Sequence, residues 1–160
     1  MIALVGKAGK LIRGPRFENR SELLDVMGQY LPSQIISLQE GWADLLGHYN
    51  EGPEARARGL TYMRYRLSNF TAPKKWECHS ILENICLNEH PTYLHCFKGV
   101  DRTGFICSLY LVLVDGWDPM DAWHEAHRMG MQKHYRFLWE KAFFKRVEEL
   151  RNCGTAWRQR

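Results

Sequence analysis

The chain has 160 residues, a net charge of +4 and a hydrophobic fraction of 45%, which fits one domain over residues 1–160 with one sizeable core. No stretch approaches the ~18 apolar residues of a membrane span, and the run from Met1 to Val5 is too short for a secretory signal. A disordered or membrane-inserted chain is thereby excluded, and a cytoplasmic protein is expected. The mild positive charge suits an anionic ligand, but short basic pairs do not make a nucleic-acid-binding arm.

The cysteines also bear on the compartment. There are five of them, an odd number at irregular spacing, which does not suit a disulfide framework. Free thiols in a reducing compartment are the expected state.

The first part of the chain predicts strands, one helix and a long loop. Ser21 is expected to cap a helix that runs to about Leu31. Residues 39–59, rich in glycine and charge with a Gly-Pro step, are predicted to form a mobile loop. Short strands are expected at residues 2–5, 11–12 and 35–38.

The second part of the chain alternates strands with helices. Alternating apolar residues predict a strand over residues 63–67, and another is expected at 92–95. Helices are predicted over 74–88, 102–114 and 118–130, with a last helix ending near Asn152. The helix after Arg102 is apolar on nearly every side, which indicates burial. The alternation predicts an α/β fold with helices packed on a central sheet.

Segment 95–104 reads His-Cys-Phe-Lys-Gly-Val-Asp-Arg-Thr-Gly. A strand ends there, a glycine-bearing loop turns and a helix begins, so free amide N–H groups can converge on one point. Such a nest at the positive end of a helix binds a tetrahedral dianion. The residues expected to surround a phosphate group are Phe97, Lys98, Gly99, Val100, Asp101 and Arg102.

Cys96 opens this loop, and its sulfur is expected at the floor of the nest. Cysteines in such positive fields have pKa values lowered from ~8.5 toward roughly 3.5–7.5, so the thiolate is available as a nucleophile. The Arg102 guanidinium can hold two phosphate oxygens. Thr103 is expected to donate its hydroxyl to the sulfur, and His95 to bond the loop backbone. The competing interpretation makes Cys96 an inert core thiol.

The segment resembles the Cys-x5-Arg signature of protein tyrosine and dual-specificity phosphatases, in the form His-Cys-x-x-Gly-x-x-Arg-Thr-Gly. Segments 13–15 and 116–118 extend the likeness to compact dual-specificity enzymes, over roughly residues 11–130. The resemblance implies a single-domain dual-specificity-phosphatase-like fold with a mostly parallel sheet flanked by helices. It also implies a hydrolase with a phosphocysteine intermediate on Cys96, needing no metal or other cofactor.

The general acid departs from the family pattern. Residues 67–73, Leu-Ser-Asn-Phe-Thr-Ala-Pro, resemble a family segment in which an aspartate occupies the place of Asn69. General acid catalysis is worth ~10²–10⁴-fold, so three accounts are open. Asn69 replaces a natural aspartate; or Asp101 is the acid, as in some bacterial relatives; or the protein binds phosphate esters and barely turns them over. Asp101 has a further interpretation, that it only hydrogen-bonds neighbouring loops.

Substrate identity is not readable from the signature. Phosphorylated proteins and phosphoinositides are the expected partners, bound by a monomer. Lys98 is expected either to meet a second anionic group or to be a solvated rim residue, and Gln132 or His134 to line the pocket or lie on a surface loop. A phosphate-ester binding module is the alternative function; rhodanese-like sulfur transfer fits the Arg102 spacing poorly.

Overall fold

The computed structural model describes residues 1–153, with the side chains of residues 134–136 excepted, so the prediction for His134 lies outside the described residues. One five-stranded sheet forms, in the spatial order β1-β2-β5-β3-β4. All neighbouring strands are parallel except β1 and β2. The strands are β1 (Ala3–Val5), β2 (Leu11–Gly14), β3 (Gln34–Ser37), β4 (Thr61–Arg64) and β5 (Thr92–His95).

Helices connect the parallel strands and continue beyond the last one, which confirms the predicted α/β fold with a mostly parallel sheet. They are α1 (Arg20–Tyr30), α2 (Trp42–Leu45), α3 (Gly52–Ala57), α4 (Lys75–Leu87), α5 (Arg102–Leu113), α6 (Pro119–Arg128) and α7 (Lys133–Asn152). Among the described residues, none of these helices has the length and apolar character needed to cross a bilayer.

Both faces of the sheet are buried, as expected for parallel strands covered by helices. Successive side chains alternate between two cores, because a strand has a period of two residues. Every residue of α5 is buried, which confirms the prediction from its apolar surface. The larger core holds Leu11, Ile36 and Leu94 with α4–α7; the smaller holds Ile12, Ile35 and Tyr93 with α1 and α3.

Three predicted elements differ from those observed. Residues 39–59 are not simply a loop: they contain α2 and α3, because Pro53 suits a first helical turn and Ala55 is buried in the smaller core. Strand β4 ends at Arg64 because it pairs with the four residues of β3 only. Helix α1 begins before Ser21, since Asn19 caps it by accepting from the Glu22 amide at 3.1 Å.

The topology places the loops that follow β3, β4 and β5 at one edge of the sheet. These strands are parallel neighbours, so their carboxyl ends lie together, and this edge is where α/β proteins form their ligand sites. Residues 38–41, 65–73 and 96–101 therefore meet there.

Candidate active site

The loop from Cys96 to Asp101 joins the end of β5 to the start of α5, as the sequence predicts. Gly99 makes its turn with a φ of +74°, a conformation that favours glycine. A Cβ at this position would lie 2.2 Å from the Gly14 carbonyl oxygen, so glycine is also required by the close approach of two backbones. This loop, residues 96–101, is called the Cys96 loop below.

Three carbonyl groups of the Cys96 loop accept hydrogen bonds from residues outside it. Arg13 Nη2 donates to the Gly99 oxygen at 2.8 Å and to the Val100 oxygen at 3.4 Å. The Arg16 amide donates to the Phe97 oxygen at 3.2 Å. In a trans peptide the N–H of the next residue points opposite to the carbonyl. These three contacts therefore orient the N–H groups of Lys98, Val100 and Asp101 away from Arg13 and Arg16.

Those amide groups have no internal partner. Within the described part of the chain, no residue accepts a hydrogen bond from the N–H groups of residues 97–101. Free amides in such a turn, followed directly by the first turn of a buried helix, form a concavity with positive potential. The loop can therefore receive the oxygens of an anion.

Cys96 and Arg102 both line a cavity of about 310 Å³. Their residues are 2% and 3% exposed, so both functional groups are held by their surroundings. Arg102 Nη1 donates to the Leu38 oxygen at 3.2 Å and the Leu67 oxygen at 3.3 Å, which fixes the guanidinium at the ends of β3 and β4. All five cysteines are free thiols.

His95 supports the loop, but through a partner that sequence reasoning missed. Its Nδ1 lies 3.1 Å from the Cys96 carbonyl oxygen, an acceptor, so Nδ1 carries the hydrogen. Its Nε2 contacts Glu51 Oε1. Both residues are buried, and the hydrogen bonds from Glu51 through His95 end on the backbone carbonyl of Cys96.

The contact with His95 lowers the pKa of the Glu51 carboxyl. Burial on its own would raise the pKa of Glu51, but the charge of His95 and its hydrogen bond outweigh that effect and hold the pKa below its ordinary value. Only a helix start at Pro53 and the need of a buried histidine for a partner could have indicated Glu51. A prediction of a loop over residues 39–59 takes neither signal into account.

Thr103 does not make the contact expected of it. Its hydroxyl is buried and has no hydrogen-bond partner among the described residues, the Cys96 sulfur included. The residue lies in the first turn of α5, where it is fully enclosed by the core. The predicted hydrogen bond to the sulfur is therefore wrong for this structure.

Both candidates for the general acid position line the cavity with Cys96. The backbone amide of Asn69 donates to Glu40 Oε1 at 2.8 Å, and Trp42 Nε1 donates to Glu40 Oε2 at 2.6 Å. Glu40, a second residue missed from sequence, thus ties the Asn69 loop to α2. Asp101 Oδ1 accepts from the Gln132 amide at 2.9 Å, so this carboxylate does bond a neighbouring loop.

The rim of the cavity is aromatic and basic. Trp42, Phe70 and Phe97 line it, together with the exposed Lys98 and with Gln132. Phe70 is 84% exposed, and the Arg16 guanidinium lies over the Phe97 ring at 4.5 Å. Of the two alternatives for Gln132, pocket lining or surface loop, the structure fits both, since the residue lines the cavity and is exposed. In the described part of the chain no three His, Cys, Asp or Glu residues are grouped to hold a metal ion.

A cysteine at the start of an amide-lined loop, with a fixed arginine beside it, is the arrangement expected of a cysteine-based phosphatase. The sequence model of the tyrosine phosphatase family matches residues 22–119, more than half of the chain. The chain therefore belongs to the tyrosine phosphatase family, which confirms the resemblance seen in its sequence.

One curated relative is the dual specificity protein phosphatase TpbA of Pseudomonas aeruginosa (strain UCBPP-PA14), 40% identical over 42 residues. That match covers 26% of this chain and 19% of the relative. The crystal structure of P. aeruginosa TpbA superposes with a TM-score of 0.68 at 18% identity, over 89% of this chain and 84% of that one. A cysteine-to-serine variant of TpbA has also been solved in complex with pTyr.

Two further solved structures share the fold. PTPMT1 in complex with PI(5)P has a TM-score of 0.70 at 16% identity and covers 89% of this chain and 94% of that one. The core catalytic domain of the PP-IP phosphatase SIW14 from S. cerevisiae, in complex with citrate, has a TM-score of 0.67 at 17% identity, with 94% and 92% covered. At these identities the likeness concerns the fold.

Proposed function

We propose that this protein hydrolyses phosphomonoesters through a phosphocysteine intermediate on Cys96. The observation that carries the proposal is that one cavity is lined by Cys96, by Arg102 and by three loop residues whose amides have no partner among the described residues, Phe97, Lys98 and Asp101. Together they suit a dianion whose charge must be stabilised while phosphorus changes partners.

The reaction has two steps. In the first, the Cys96 sulfur attacks phosphorus in line, an S–P bond forms, and the P–O bond to the alcohol or phenol breaks. In the second, water attacks the same phosphorus, the S–P bond breaks, and inorganic phosphate leaves. Arg102 and the loop amides hold the non-bridging oxygens in both steps.

The leaving oxygen needs a proton in the first step. Asp101 is the carboxylate that lines the cavity, while Asn69 occupies the position given to an aspartate in the family. An amide cannot supply a proton as a carboxylic acid does. We infer that leaving-group protonation limits the turnover of substrates with weakly acidic leaving groups, and that substrates with acidic leaving groups react fastest.

The rim supports substrates with a flat or ring-shaped body. Trp42, Phe70 and Phe97 give apolar contact surface, and Lys98 lies where a second anionic group can be met. Phosphotyrosine on proteins and phosphoinositides both satisfy this arrangement, and the pTyr and PI(5)P complexes of TpbA and PTPMT1 make both classes worth testing.

The test is hydrolysis of para-nitrophenyl phosphate by the full chain in the presence of a chelator. We expect turnover that orthovanadate inhibits and that Cys96→Ser abolishes. Cys153→Ser, a half-buried thiol at the end of α7, is the matched control and should retain turnover. Activity in Cys96→Ser equal to that of the control would remove the basis of the proposal.

One observation favours a second candidate, a phosphate-ester binding module with little turnover: Asn69 stands where an acid is expected. This candidate predicts that a phosphopeptide or an inositol phosphate binds while hydrolysis stays at background. Equilibrium binding measured beside the rate, on the same protein, separates the two.

A further inference from the structure

A second cavity, called the rear cavity here, has a volume of about 280 Å³. It is separate from the candidate active site, since the two cavities share no lining residue. Its size is close to the lower end of the range for small-molecule sites. Most of its wall is apolar and comes from β1, α5, α6 and their ends: Leu4, Val5, Leu111, Trp117, Ala126 and Met129.

One strongly polar group opens into this apolar space. Arg13 lines the rear cavity and is 4% exposed. Its Nη2 is used by the carbonyls of Gly99 and Val100. Its Nε and Nη1 have no hydrogen-bond partner among the described residues, but both atoms keep some accessible surface. The edge of the guanidinium formed by Nε and Nη1 is therefore accessible. We take this edge to face the rear cavity, because Arg13 lines that cavity.

The charge of Arg13 is also without a counter-ion. No carboxylate oxygen of the described residues lies within 4.0 Å of it. A buried cation is costly unless an anion compensates it. The two carbonyl oxygens supply dipoles only, so the site is electrostatically incomplete.

The other charged residues of the wall leave this imbalance in place. Glu125 is the acidic residue of the wall, and both of its oxygens already accept from Arg128, at 2.7 and 2.6 Å. Lys7 adds a second positive charge to the wall. The rear cavity thus combines an apolar body with an excess of positive charge.

We propose that the rear cavity binds a small amphipathic carboxylate. The carboxylate bonds the open edge of Arg13 in the planar geometry that guanidinium groups favour, and a short alkyl or aryl body fills the apolar part. Since Nη2 of the same guanidinium donates to the Gly99 carbonyl, such a ligand would contact the residue that supports the Cys96 loop from the side opposite the candidate active site.

The test uses octanoate as the probe, titrated calorimetrically into the full chain with and without orthovanadate. We expect octanoate to bind in both conditions, and octanol, which has the same alkyl body without the charge, to bind at least ten times more weakly. Met129→Glu places a negative charge in the wall and should weaken octanoate binding at least tenfold. Met120→Glu, in the first turn of α6, whose C-cap is Met129, lies outside the cavity and should leave binding unchanged.

Several results would overturn the proposal: no binding of octanoate, equal affinity for octanol, equal affinity of Met129→Glu and Met120→Glu, or displacement of octanoate by orthovanadate, which would assign it to the Cys96 cavity. The measurement reads binding and needs no turnover, so its outcome is independent of the proposed phosphatase activity. Circular dichroism of both methionine variants verifies that they are folded.

Discussion

Glu51 and His95 form a buried hydrogen-bonded pair beside Cys96 although they are 44 positions apart in the chain. The pair spans the smaller core: Glu51 caps α3, and His95 ends β5. Tyr62 also reaches this carboxylate, through its hydroxyl at 3.4 Å, and the charge of Arg64 lies near enough to favour its ionised form. The arrangement fixes the Cys96 carbonyl from the side of the sheet opposite α5.

The pair predicts a dependence of stability on pH. Folding lowers the pKa of Glu51, so the folded protein binds fewer protons at this site than the unfolded chain. Its stabilisation is present above the ordinary pKa of a glutamate and is lost as the pH falls through the lower folded value. We expect Glu51→Gln to lower the free energy of unfolding at pH 7 and to flatten its fall in acid, measured by urea unfolding from pH 7 to pH 3.

The matched control is Glu54→Gln on the same helix. Glu54 pairs with Arg20 and Arg58 on the surface, and exposed pairs contribute only about 0–1 kcal/mol. If the two variants lose the same stability at pH 7, the buried pair is not the stabilising element described here.

Replacing Gly99 by alanine is expected to lower the free energy of unfolding through a steric clash in addition to backbone strain. Gly99→Ala places a Cβ against the Gly14 carbonyl, whereas Gly116→Ala meets nothing within 4 Å at nearly the same φ, +75°. The strain common to both is about 1–2 kcal/mol. Urea unfolding should show a clearly larger loss for Gly99→Ala, together with weaker orthovanadate binding; equal losses in the two variants would contradict the close packing of the loop.

Replacing Asn69 by aspartate is expected to raise turnover, because it restores a general acid. Asn69→Asp places a carboxylic acid in the Cys96 cavity, and general acid catalysis is worth ~10²–10⁴-fold. The gain should be large for phenyl phosphate and small for para-nitrophenyl phosphate, whose leaving group needs less protonation. Steady-state rates on both substrates measure it.

The control for that prediction is Asn69→Ala, which removes the amide without adding an acid and should show no gain. Asp101→Asn completes the set. If Asn69→Asp leaves turnover unchanged while Asp101→Asn abolishes it, Asp101 is the acid, and the loop containing Asn69 has no part in proton transfer.

The exposed Phe70 side chain predicts selectivity among substrates. Phe70→Ala removes aromatic surface from the rim and should raise KM for a phosphotyrosyl peptide several-fold, since aromatic pairs contribute about 0.5–1.5 kcal/mol. Trp76→Ala removes another exposed aromatic residue that does not line the cavity and should leave KM unchanged. A KM for Phe70→Ala that matches the control would show that the substrate does not reach the rim.

The parts of the site that sequence predicts are local in the chain. Segment 95–104 carries its own strand end, turn and helix start, so the positions of Cys96 and Arg102 follow from residues a few places apart. The contacts that support this segment do not follow from local sequence. Arg13 reaches Gly99 across 86 positions in the chain, and Glu51 reaches His95 across 44. Contacts of that separation depend on strand order, which the β2-β5-β3 arrangement sets and no local pattern expresses.

The misjudged elements have a similar cause. Composition predicted a loop over residues 39–59 because glycine and charged residues are frequent there, yet Ala55 is buried by contacts with α1 and the sheet. Thr103 was expected to reach the sulfur from its spacing in the signature, but the direction of a side chain in the first helical turn depends on how α5 enters the core. Tertiary packing decides both.

The central claim, that Cys96 is the nucleophile, is tested most directly by trapping the intermediate. The full chain is mixed with para-nitrophenyl phosphate, quenched rapidly in acid, digested and analysed by mass spectrometry. We predict a phosphoryl group on the peptide that contains Cys96, accumulating before the steady state. Sustained turnover with no phosphoryl group on that cysteine at any quench time would contradict the account.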